Sequence, residues 1–132
     1  MQDKESRYPD DWLRKADSDL KAAEVLCKAQ NLEAAAFHMQ QAIEKCLKGY
    51  LLSKGWRLRR IHELDTLLDE AIAYKTDFKK FRPICEIATE YYLEERYPFL
   101  MPSELNRKEL QKILEETKEL AGFIKREINK EK

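Results

Sequence analysis

His38, Gln40, Gln41, Glu44, Lys45 and Lys48 crowd into one stretch, HMQQAIEKCLKGYLL, residues 38 to 52. An imidazole, two carboxamides, a carboxylate and two ammonium groups can pass a proton, hold a phosphate oxygen, or simply wet one helix face. The next segment, KGWRLRR, carries Lys54, Trp56, Arg57, Arg59 and Arg60. Guanidinium groups fork onto phosphate oxygens and an indole stacks on a base. The same cations also suit a helix C-terminus, which this segment follows. Further on, YYLEERYP sets Tyr92 and Arg96 four apart, on one helical face, with Tyr97 adjoining. Arg96 suits a phosphate or an anionic transition state. It equally suits a helix cap or a pair with Glu94 or Glu95. His62 follows the basic loop, and Arg57 and His62 stand in R-x4-H spacing.

The catalytic role stays unassigned at this level, with Arg96 and His62 as candidates. No Gly-rich phosphate loop, zinc-ligand spacing or Ser-His-Asp arrangement is present, so no metal or other cofactor is expected.

These groups need helices to position them. Leu13, Ala16, Leu20, Ala23 and Cys27, with Trp12 beside them, form the seam of a first helix capped by Asp10 or Asp11. Gln30-Asn31 makes a turn. A second helix covers Leu32 to Ser53, with Met39, Ile43, Cys46 and Tyr50 on its seam and Gly55 as its stop. Apolar residues on several sides mark it as central. A third helix starts near His62 and ends about Tyr74. Thr76-Asp77 leads a short turn carrying Phe78 and Phe81. A fourth helix covers 83–96, and Ser103 or Asn106 starts the last, Asn106 with Glu109 resembling a capping pair. No segment alternates with period two. The expectation is an all-α, antiparallel, up-and-down bundle of four to five helices in one domain, 10–128, with residues 1–9 and 129–132 disordered.

Ala35, Ala42 and Gly49 recur every seven residues on one line of the second helix. A helical glycine costs about 0.5–1 kcal/mol relative to alanine. The cost is offset where another backbone approaches closely within the chain, or where the row floors a ligand site or a dimer contact, flanked by His38 and Lys45 and joined by Phe37.

The 132 residues suit one core. Apolar residues make up 43% and charged residues 38%, and Lys plus Arg equals Asp plus Glu at 25 each. Net charge therefore points to no polyanionic partner, and any basic patch must be local. No apolar run reaches the length of a membrane span. Cys27, Cys46 and Cys85 fall at or beside apolar helical positions, which favours buried reduced thiols and a cytoplasmic location.

Four ordered motifs carry a family resemblance. They are W-x3-A-x2-DL from Trp12, A-x-F-x2-QQA-x-EK-x-LK from Ala35, H-x-L-x2-LL from His62 and Y-x3-RYP from Tyr92. Together, over residues 12 to about 128, they resemble the HEPN domain, named for higher eukaryotes and prokaryotes nucleotide-binding. The resemblance implies a helical bundle that forms homodimers and associates with nucleotides or RNA. It also implies a toxin-antitoxin-like setting with a small nucleotidyltransferase as partner. On that reading Arg96, Tyr92, Tyr97, Trp56, Arg57, Arg59, Lys45 and Lys48 would contact the nucleotide or phosphate. Phe37, Ala35, Ala42 and Gly49 would form the dimer interface. Some branches are metal-independent RNases with an R-x4-6-H motif. Here the positions five to seven beyond Arg96 are Met101, Pro102 and Ser103, with no histidine. Binding is therefore expected before catalysis. An RNase using Arg96 with His62 or His38, or a purely structural dimerisation module, is the alternative.

Overall fold

A computed structural model describes residues 6–59, 61–96 and 106–131, giving only the backbone path for 91–96. The first helix, α1, spans Pro9–Lys28. Proline needs no N–H at a helix start, so α1 begins there. The cap expected at Asp10 or Asp11 falls instead at Tyr8, and the two aspartates occupy the first turn, where the helix dipole favours them. Residues 6–8, expected to fray, are tied down. Trp12 Nε1 donates to the Ser6 carbonyl at 2.6 Å, and the Ser6 hydroxyl donates to Asp11 at 2.6 Å.

Backbone closures end the first two helices. After α1, Gln30 adopts φ 64°. Its N–H bonds the Cys27 carbonyl at 3.1 Å, and Asn31 N–H bonds Leu26 at 2.9 Å. The second helix, α2, spans Leu32–Ser53, as expected. Gly55 (φ 85°) and Trp56 repeat the closure, donating to Leu52 and Leu51 at 3.1 and 3.0 Å. A Cβ at Gly55 would meet nothing within 4 Å, so the left-handed backbone alone calls for glycine there.

The third helix, α3, spans Leu64–Tyr74 and starts later than His62. His62 is held outside it by a contact with α2 described below. A 3-10 turn, Thr76–Phe81, leads straight into α4, Arg82–Arg96. The last helix, α5, spans Arg107–Lys130, and Asn106 accepts from Glu109 N–H at 2.7 Å as its cap. Part of the expected disordered tail is thus helical, and Glu131 beyond it pairs with Lys54.

All the other helices pack around α2, α1 most extensively. Asp17 meets Lys125 and Glu24 meets Lys118, so α1 and α5 run antiparallel. The seam residues Met39, Ile43, Cys46 and Tyr50 are 0–1% exposed. At one end Phe78 lies 4.6 Å from the Tyr50 ring and 5.1 Å from the Phe123 ring, centroid to centroid. Among the described residues there is no strand. No described helix is long and apolar enough to cross a membrane.

The row Ala35, Ala42 and Gly49, expected at a dimer interface, is buried inside the single chain. A Cβ on Gly49 would stand 3.0 Å from Leu13 Cδ2 and 3.4 Å from the Pro9 carbonyl oxygen. Gly49 therefore lets α1 lie close on α2 at that point. Gly49→Val should lower stability by about 1–3 kcal/mol through overpacking. Urea unfolding at several protein concentrations checks this, and the loss should not depend on concentration.

Cys27, Cys46 and Cys85 are buried and unpaired. Burial, assisted by Asp17, pushes the Cys46 thiol up to about 12, and burial with Asp65 does the same at Cys85. The neutral thiol is the form these sites favour. Their contribution to stability is therefore intact below pH 9 and is lost as pH rises from 9 towards 12. Native protein at pH 8 should resist iodoacetamide at both positions and react at both in denaturant, read by mass spectrometry.

Candidate functional site

Two polar networks lie on neighbouring strips of α2. The first joins α2 to α1. His38 and Lys45 are seven residues apart, hence on one side of the helix. Both reach Asp19: His38 Nδ1 at 2.9 Å and Lys45 Nζ at 2.6 Å. The Asp19 side chain is only 12% exposed, so these partners hold its charge in a poorly solvated place. Phe37, half-buried, stands edge-on to His38 with centroids 5.6 Å apart.

The second network joins α2 to the loop before α3. Glu44 and Lys48, four apart, pair at 3.0 Å with side chains 7% and 1% exposed. His62 Nδ1 reaches the same Glu44 oxygen at 3.1 Å. Gln40 Nε2 approaches the other oxygen at 3.5 Å, and Gln41 donates to Gln40 at 2.7 Å. The Lys48 ammonium also sits 5.2 Å from the centre of the Trp12 ring. Lys48 is thus sealed in, and the expected phosphate contact from it is not available in this conformation. Lys45 retains partial exposure but is already paired.

Both histidines turn Nδ1 to a carboxylate. In a neutral imidazole that contact places the proton on Nδ1 and leaves Nε2 as the base. The His62 side chain is 55% exposed.

The basic loop lies next to this second network. Trp56 is half-buried against the core, with the Arg59 guanidinium 5.2 Å from its ring centre. Arg59 pairs with Glu70 of α3. Arg57 is exposed and has no ion pair among the described residues. Tyr92 and Arg96 fall in the last turns of α4, which packs on α2 and α3. Their side chains, and Tyr97, lie outside what is described. Reading the sequence alone missed Asp19, Trp12 and Glu70 as partners. Each is far along the chain from the group it contacts, and only the W-x3-A-x2-DL pattern drew in the first two.

An open groove of about 350 Å³ lies elsewhere, between α1 and α5. Asp17 accepts from Lys125 there at 2.9 and 2.8 Å, and none of the expected site residues lines it. Among the described residues no group of three or more His, Cys, Asp or Glu side chains could hold a metal ion.

A family model described as the HEPN domain matches residues 7–128. A Methanocaldococcus jannaschii protein named "Putative toxin MJ1304" is 27% identical over 99 residues, covering 70% of this chain. This chain spans 64% of the length of that relative. The crystal structure of ST0689, an archaeal HEPN homologue, superposes with a TM-score of 0.74 at 22% identity. It covers 92% of this chain and 98% of its own, and the fold is shared.

Removing one member of the buried pair leaves the other charged and unpartnered. Lys48→Ala should cost about 3–5 kcal/mol. The double change Glu44→Gln with Lys48→Met should recover much of that loss. Urea midpoints of the three proteins check the pattern.

Proposed function

We propose that this chain, which belongs to the HEPN domain family, binds a nucleotide or an RNA phosphate as the toxin-like half of a paired system. It would act as a homodimer in the cytoplasm, beside a small nucleotidyltransferase. One observation carries the binding part. The His62–Glu44 contact ties the indole-and-guanidinium loop to the polar face of α2. A stacking platform and phosphate forks then stand on a rigid support. Arg57 supplies the exposed charge. Arg96, at the end of α4, is the second proposed phosphate ligand, with Tyr92 and Tyr97 beside it. Lys45 offers a weaker contact because Asp19 holds it. Phe37 remains the proposed dimer contact on α2, being the half-buried member of the set. The name borne by the archaeal relative supports the toxin-like role, and the family resemblance supports the transferase partner. The buried unpaired thiols fit a reducing compartment.

RNA cleavage is the second reading, favoured by the orientation of His62. A carboxylate-held imidazole with Nε2 as its base is built for proton transfer. Arg96 would then stabilise charge on the phosphorus centre.

Filter binding with radiolabelled ATP and a short single-stranded RNA tests the site. Arg57→Ala and Arg96→Ala should each weaken binding about tenfold or more, the value of a charge-assisted hydrogen bond. Unchanged affinity in both would reject it. The same RNA, incubated with protein and a chelator, should stay intact under the binding reading. Cleavage abolished by His62→Ala would establish the second.

A further inference from the structure

We infer that Glu70 is a built-in competitor for the ligand phosphate, holding Arg59 as a cover over Trp56 until the ligand takes its place. The inference rests on the binding reading above and adds how that site is regulated.

The Arg59 guanidinium does two things at once. It pairs with the Glu70 carboxylate, and it lies over the indole face, 5.2 Å from the ring centre. A carboxylate and a phosphate present the same kind of oxygen to a guanidinium. A base and a guanidinium compete for the same aromatic face. Glu70 and Arg59 therefore occupy, from within the chain, both contacts that a phosphate with its adjoining base would make.

Two further details show that the covered arrangement is incompletely satisfied. Among the described residues, Trp56 Nε1 and Glu70 Oε2 are both buried without a hydrogen-bond partner. One of the two carboxylate oxygens thus carries the pair, short of the bidentate fork that would lock it. The pair is also reachable by water, with side chains 50% and 31% exposed for Arg59 and Glu70. Such a pair yields readily to a stronger anion.

Uncovering requires little of the backbone. Trp56 N–H is bonded to the Leu51 carbonyl at 3.0 Å as part of the α2 closure, so the platform stays in place. Only the Arg59 side chain needs to swing from Glu70 to the ligand. Arg57, two residues before it and exposed, is free to make the first encounter.

A plain staple between loop and α3 predicts the opposite response to mutation, because loosening a staple disorders the site. The test uses the full chain with two probes, ATP and a fluorescent oligoadenylate RNA. Under competition, Glu70→Gln binds about 2- to 5-fold more tightly, the factor a half-exposed ion pair allows. Acrylamide quenching of Trp56, taken as the difference from Trp56→Phe, rises in the same variant before ligand is added. In an Arg59→Ala background, Glu70→Gln changes neither affinity nor quenching. A gain with both probes assigns the site to a single nucleotide, and a gain with RNA alone assigns it to a strand. Equal or weaker binding by Glu70→Gln, with wild-type binding intact, overturns the competitor and leaves the binding reading standing. Failure of every variant to bind either probe overturns both.

Discussion

A carboxylate taken out of water must be neutralised where it stands, and Glu44 meets that demand from two directions. Lys48 answers from its own helix and His62 from the segment ahead of α3. The first contact explains why an ammonium group tolerates full burial. The second explains why the chain between α2 and α3 returns to the middle of α2. That return sets the cationic loop beside a polar helix face and delays the start of α3 to Leu64. Without the carboxylate, no described side-chain contact would hold the His62 end of that segment to α2.

Asp19 is the counterpart on the other flank. It gathers His38 and Lys45 and fixes α1 against α2, where Gly49 allows close approach. Charges on α2 are thus largely consumed by its own neighbours. This accords with a chain of zero formal net charge and leaves the exposed Arg57 of the loop outside that pairing. The family membership and the shared archaeal fold give this scaffold its context, and the loop gives it a candidate chemistry.

The architecture was legible because apolar spacing reports helices directly. The α2 bounds came out as read, since Gly55 is a backbone stop that sequence displays. The Asn106 cap was likewise visible three residues from its partner. Tertiary pairing was not. Lys48 reads as a surface lysine until Trp12 closes over it, and the Ala35–Ala42–Gly49 row reads alike for a neighbour inside or outside the chain. Glu70 carries no local mark at all, because its meaning depends on Arg59 arriving across the loop. Helix starts also shifted wherever a side chain was claimed elsewhere, as His62 was.

The main-chain closure at Gly55 separates architecture from chemistry. The Lys54, Gly55 and Trp56 peptide groups, with the Ser53 hydroxyl on the Tyr50 carbonyl, complete α2. Exchanges at positions 57 to 59 therefore leave the helix end intact. Selection could retune ligand preference along this loop from one lineage to the next while the supporting bundle stays constant.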